Sequence, residues 1–181
     1  SLETAHKINT IIFDKTGTLT KGKPEVTDIV VTGEFGQNEV LQLAASLEKG
    51  SEHSLAEAIV KFAEEKKLAL SRAEGFKAIP GHGVQGFISG KKIVFGNKRL
   101  MEREKISLTT VQNDIEKLEN EGKTVMMLQV NEKLTGLVAV ADTLKESALE
   151  GVKQLQKLGI EVIMITGDNI HTANAIAQKV G

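Results

Sequence analysis

Three runs of this chain are apolar almost without interruption: residues 8–14 (INTIIFD), 134–141 (LTGLVAVA) and 160–166 (IEVIMIT). A half-buried strand alternates apolar with polar residues, so unbroken runs predict strands covered on both faces, the usual condition of a parallel sheet. Between the last two runs lies DTLKESALEGVKQLQKLG, with Ala148, Val152, Leu155 and Leu158 at helical spacing and Gly159 in the place of a C-terminal cap. Strand, helix and strand make one unit of a parallel α/β domain.

Residues 24–131 have a different texture. Val26 to Val31 has strand character, and Glu39 to Lys49 and Leu55 to Lys66 have helical spacing, the second opened by Ser54 with Glu57 three residues on in the pattern of a capping box. GVQGFISGKKIVFG predicts a hairpin turning at Ser89-Gly90. A helix over Leu108 to Glu121 turns Val111, Ile115 and Leu118 inward, and Thr124 to Val130 returns as a strand. The pattern predicts an antiparallel sheet with helices, inserted into a parallel domain after its first strand. The expected boundaries are 1–23 and 132–181 for the parallel domain and 24–131 for the insertion.

Composition excludes several functions. The chain has 181 residues, 40% of them hydrophobic, which is enough for a buried core. Lys and Arg number 23 against 24 Asp and Glu, so no global field draws nucleic acid or an anionic membrane, and partners must be sought at local sites. There is no cysteine, hence no disulfide, thiolate metal site or cysteine nucleophile. No apolar stretch approaches the roughly 20 residues of a membrane-spanning helix. The chain opens at Ser1 and stops at Gly181 after the amphipathic NIHTANAIAQKVG, which suggests a piece excised from a longer protein.

In an open parallel sheet the ligand lies outside the carboxyl ends of the strands. Asp14 stands at the end of the first apolar run, Thr166, Gly167 and Asp168 at the end of the last, and Asp142 at the end of the middle one. Polar strand ends with glycine and threonine loops supply backbone N–H and hydroxyl donors suited to phosphate. Any one of them could be an ordinary turn residue. Combined with DKTGTLT at 14–20 they point to a phosphate site.

That heptapeptide resembles the phosphorylation motif of the P-type ATPases, within the haloacid dehalogenase superfamily, and DTLKES and MITGDN resemble two further blocks of the same family in the same order. The resemblance implies a Rossmann-like phosphorylation domain with an inserted α+β nucleotide-binding domain. It also implies that Asp14 attacks the γ-phosphate of ATP and carries it as an aspartyl phosphate. Lys15, Thr16, Thr166, Gly167, Asp168 and Mg²⁺ would align and neutralise the phosphoryl group, with Asp14 and the Thr16 carbonyl offering oxygens to the metal. A carboxylate is ionised at neutral pH and needs no general base, so positioning is the main task. Soluble phosphatases of the superfamily usually carry a second aspartate two residues after the nucleophile. Here that position is Thr16, so the acyl phosphate should hydrolyse slowly, which disfavours the rival reading of a stand-alone phosphatase.

Within the insertion, LEKGSEHSLAEAIV resembles the heavy-metal branch, whose members carry Ser-Glu-His-Pro-Leu; the proline is Ser54 here. PGHGVQG and VFGNKRLM resemble its Gly-x-Gly loop and Gly-Asn turn. The resemblance implies nucleotide contacts at Glu48, His53, Gly81, Gly83, Val84, Gly96 and Asn97. With no Trp, no Tyr and six Phe, recognition should rest on polar groups and glycine backbone rather than an aromatic sandwich. His6, His82 and His171 are scattered and form no metal spacing.

The implied parent is an ATP-driven heavy-metal pump, Cu⁺ favoured over Zn²⁺ or Cd²⁺, with this piece on the cytoplasmic side of the membrane. Its partners would be ATP or ADP and the transmembrane and actuator domains of the same chain; the transported metal would not be bound here. A non-catalytic nucleotide-binding module is the remaining alternative. The family's downstream lysine and second Mg²⁺ carboxylate are expected beyond Gly181, so residues 1–181 should bind ATP and turn it over poorly.

Overall fold

A computed structural model describes residues 8–166 and 170–181, and the side chains of all of these except 170–172. The chain divides into two compact units: one comprises residues 1–23, 120–122 and 142–181, the other 24–119 and 123–141.

In the first unit β1 (Thr10–Asp14) pairs in parallel with β8 (Glu161–Ile165), Thr10 opposite Glu161 and Asp14 opposite Ile165. Phe13, Val162 and Met164 turn to one face, where they meet Leu19 and the buried faces of α5 (Glu146–Lys157) and α6 (Ile170–Val180) through Val152, Ile176 and Val180. The opposite face differs from the expectation of strands covered on both sides. Ile12 and Ile165 are each 57% exposed and Ile163 40%, so among the described residues only one face is covered. Gly159 ends α5 in a left-handed turn (φ 75°), with its N–H on the Gln156 carbonyl and that of Ile160 on Leu155, which satisfies two of the helix's last carbonyls.

The second unit is built on a six-stranded sheet ordered β2-β7-β6-β5-β4-β3, where β2 is Thr20–Val31, β3 Glu74–Ile79, β4 Gly83–Ile88, β5 Lys91–Gly96, β6 Thr124–Val130 and β7 Lys133–Leu144. The chain passes between units within β2, on either side of residues 120–122 and within β7. The pairs β3–β4, β4–β5, β5–β6 and β6–β7 are all antiparallel. The β4–β5 hairpin turns at Ser89 (φ 50°) and Gly90 (φ 76°), two left-handed residues that match the twist of the flanking strands.

Run 134–141 therefore belongs to an antiparallel sheet and lies in the second unit, not in the parallel domain. The reason is that its neighbours cover it on both sides. Val138 and Val140 join the core under α1 (Gln37–Glu48) and α2 (Ser54–Glu65), while Leu137 and Ala139 join the core under α3 (Lys98–Arg103) and α4 (Gln112–Asn120). A central strand between two helical layers needs apolar residues at every position whatever the direction of its partner, so the run itself does not encode direction. Helix α2 also differs from the expectation, since its N-cap is His53 and not Ser54: His53 Nδ1 accepts the Leu55 N–H at 3.3 Å.

Candidate functional site

Strand β1 ends on Asp14, whose side chain is exposed, and the backbone then makes a single turn over Lys15–Leu19. Thr16 is extended within it (φ −76°, ψ 122°) and Gly17 is left-handed (φ 76°). What fixes this turn is Thr20, which is fully buried. Its hydroxyl accepts the Gly17 N–H at 3.2 Å and lies 3.1 Å from the Lys15 carbonyl and 2.5 Å from Asp142 Oδ2. One proton cannot serve both acceptors fully, and the shorter contact to the carboxylate takes the larger share. Asp142 Oδ1 also accepts the Gly22 N–H at 2.9 Å. Lys145 completes the brace: its Nζ donates to the Gly17 carbonyl at 2.5 Å and its N–H to the Leu19 carbonyl at 2.9 Å.

DKTGTLT and DTLKES are thus two halves of one hydrogen-bonded turn. Asp142, grouped by its sequence position with the strand-end residues, holds that turn from behind. Lys15 is buried to 8% exposure. Thr166 follows β8 directly and is half-buried, at the same end of the parallel pair as Asp14. Gly167 and Asp168 lie outside the described residues, as do His6 and the side chain of His171.

The second unit contains a cavity of about 350 Å³, within the size range of small-molecule sites. Of the residues expected at a nucleotide, Glu48, His53, Gly81, Gly83, Val84 and Asn97 line it. Glu48 comes from the last turn of α1 and is only 5% exposed. Burial raises its pKa above the ordinary carboxyl value, against the opposing hydrogen bond from Ser51. His53 uses Nδ1 as the cap of α2, which leaves Nε2 to carry the proton in the neutral ring. Among the described residues, no lysine, arginine or phenylalanine lines the cavity.

Gly96 does not line the cavity. It pairs with Gly83 across β4 and β5, and a Cβ on it would come within 2.4 Å of the His82 carbonyl oxygen and 2.5 Å of Leu100 Cδ2. Gly83 is tighter still, with a Cβ placed 2.2 Å from the Phe95 carbonyl oxygen and 2.5 Å from Gly96 Cα. Both are glycine because two backbones touch. Gly81 differs, since it has open space around its Cβ position and needs only its positive φ of 73°.

Asn97 is committed at both ends of its amide. Oδ1 accepts the Leu100 N–H at 3.1 Å and so caps α3, while Nδ2 donates to the Gly81 carbonyl at 2.9 Å. It fastens the 80–83 loop to a helix end. The sequence set His82 aside, yet it lines the cavity beside Ser51, Leu55, Ile79, Thr124 and Met126. Its Nδ1 sits 2.8 Å from the Pro80 carbonyl. The position of His82 between two glycines was the available signal. Nothing in the sequence marked Thr124 or Met126, which arrive from a strand 27 residues or more downstream of Asn97 in the chain.

Comparison with known proteins adds a family. Residues 8–181 match the model of the haloacid dehalogenase-like hydrolases. A copper-exporting P-type ATPase of Staphylococcus aureus strain JH9 is 50% identical over 99% of this chain, which spans 22% of that protein; its counterpart in strain Newman matches equally. Among solved structures, a zinc-transporting PIB-type ATPase in the E2.Pi state superposes with a TM-score of 0.87 at 36% identity, covering 96% of this chain and 28% of its own. The catalytic domain of the CPx-ATPase CopB-B, from a study of changes upon nucleotide binding, gives 0.71 at 27% identity, with 99% and 62% covered.

Proposed function

From the premise that the chain belongs to the haloacid dehalogenase-like hydrolases, in their P-type ATPase branch, we propose that it is the ATP-binding and phosphoryl-accepting part of a heavy-metal pump. The observation that carries this reading is the braced turn: an exposed carboxylate at a parallel strand end, with its backbone held by a buried threonine and with Thr16, not a second acid, two residues on. Such a group can reach a phosphorus atom without being free to wander.

In the proposed reaction an Asp14 carboxylate oxygen attacks the γ-phosphorus of ATP. The new O–P bond forms as the bond to the β-bridging oxygen breaks, and that electron pair leaves with ADP. Lys15 and Thr166 are assigned to the transferring group, with Gly167 and Asp168 beside them. Asp14 and the Thr16 carbonyl would hold Mg²⁺, whose charge neutralises phosphate oxygens when it is bound; their hard oxygen donors fit that ion. Thr16 leaves the product acyl phosphate without a neighbouring general base, so the intermediate persists.

The cavity between Glu48 and Val84 takes the adenine end. Glu48 accepts from the exocyclic amino group, and the Nε2–H of His53 supplies a donor. A lining without cations suits a base and sugar, so the triphosphate points out of it. Asn97 and Gly96 act by holding the 80–83 loop. The pump's cargo is assigned as Cu⁺, because relatives named as copper exporters share half of the residues of this chain. In that assignment the chain lies on the cytoplasmic side, beside the transmembrane and actuator parts of the same protein; among the described residues no helix is long and apolar enough to cross a membrane.

The test is phosphoenzyme formation in the intact pump with γ-labelled ATP. Asp14→Asn should abolish the acid-stable, hydroxylamine-sensitive label; label at normal yield would remove Asp14 as the acceptor. In the 181-residue chain, calorimetry should show Glu48→Ala and His53→Ala weakening ATP binding roughly ten- to a hundredfold. Unchanged affinity in both would return the cavity to a packing defect.

A further inference from the structure

The unit that holds the Glu48 cavity has a second one, of about 410 Å³, lined among others by Ser46, Lys49, Gly50, Ser71, Arg72 and Phe76. Consecutive residues wall the two apart: Ser46, Leu47, Lys49 and Gly50 face the second, Glu48 and Ser51 the first. Their charges are opposite. Among the described residues, the first has a buried carboxylate and no lysine or arginine, and the second has two cations and no carboxylate.

Neither Lys49 nor Arg72 makes an ion pair among the described residues, whereas Lys61, Lys92 and Lys123 all do. Ser46 is 2% exposed and accepts the Ser71 N–H at 3.0 Å. No described residue accepts the proton of its hydroxyl, so a buried donor remains on the cavity wall. Phe76 supplies a flat apolar side, its ring resting against Gly50, where a Cβ would come within 3.2 Å of it. Two cations on the wall of one cavity, with a buried hydroxyl, can bind an anion through charge-assisted hydrogen bonds, and an aromatic wall adds a place for an apolar ring.

We propose that this cavity is a binding site, separate from the one at Glu48, for a small ligand that carries a phosphate or carboxylate on a flat apolar group. Arg72 and Lys49 hold the anion, Ser46 donates to it, and Phe76 packs on the ring.

The experiment uses ¹⁵N-labelled 181-residue chain with saturating ADP filling the Glu48 cavity, and phenyl phosphate as the probe. Saturable amide shifts should centre on Gly50, Ser71 and Arg72. The dissociation constant should rise at least about tenfold in Lys49→Ala/Arg72→Ala, because two charge-assisted contacts are lost. A tenfold rise for Ser46→Ala would support its role as donor. Parallel titrations with benzoate and inorganic phosphate separate carboxylate from phosphate and test the need for the ring, and ADP titrated alone shows whether a nucleotide is itself the source. Shifts confined to His82, Gly83 and Val84, or equal affinity in the double variant, would overturn the proposal.

Discussion

The turn at Asp14 and the cavity at Glu48 each present one carboxylate, and they treat it in opposite ways. Asp14 is exposed, and the group that fixes its surroundings is a buried hydroxyl behind the turn. Glu48 is itself buried, and the groups around it are fixed by glycine backbones pressed together. A carboxylate with the proposed role of nucleophile must be reachable, so rigidity has to come from its backbone. A recognition group gains strength by leaving water, where a hydrogen bond is worth more and an unmet one costs more. The first site is held by polar contacts and the second by packing, and the two kinds of support fail differently.

The largest effect should come from the packing side. Gly83→Ala places a methyl 2.2 Å from a carbonyl oxygen at a backbone angle (φ 150°) that L side chains rarely adopt. Main chain must move, and overpacking with strain should cost at least about 3 kcal/mol. Gly81→Ala, where space is open and only φ resists, should cost about 1 kcal/mol. Urea denaturation of both variants measures the gap. If the two lose equal stability, the Gly83–Gly96 contact is softer than its geometry, and these glycines are set by something other than backbone packing.

The polar support predicts a separable defect. Thr20→Val keeps shape but leaves the Gly17 N–H and an Asp142 oxygen without their partner, at a cost of about 2 kcal/mol. Phosphoenzyme yield should fall while ADP affinity, read by calorimetry, stays within a factor of about two, since the cavity proposed for the nucleotide belongs to the other unit. A matching loss of ADP affinity would break the separation between the two sites.

Motif and spacing made the strand end at Asp14, the helix cap at Gly159, the hairpin at Ser89-Gly90 and strand Thr124–Val130 legible in the sequence, because each depends on residues adjacent in the chain. The direction of β7 was not legible, since a doubly covered strand looks the same in either orientation. The cap of α2 was misplaced by one residue because histidine is an uncommon cap and Ser54 has the usual chemistry. At the candidate site, residue names were readable but their tasks were not. Asn97 shows this: the sequence can place an amide near a ligand, and only the fold shows both of its ends bonded to the Leu100 N–H and the Gly81 carbonyl.

The smallest effect distinguishes the buried carboxylate by its titration. Burial holds Glu48 above its ordinary value, and the Ser51 hydrogen bond only partly opposes this. With a folded pKa above the unfolded 4.5, the folded chain keeps this proton to higher pH than the unfolded chain does. The contribution of Glu48 to stability is therefore fully present below the unfolded value and is lost as pH rises through the folded one. Glu48→Gln cannot titrate, so the stability of the variant relative to the parent chain should increase as pH rises above 4.5, by a fraction of the Thr20→Val effect. Urea denaturation of both proteins across that range gives the difference directly. A flat difference for Glu48→Gln would mean that water reaches the carboxyl in solution, and the cavity would then be a wet cleft in which adenine gains little from leaving solvent.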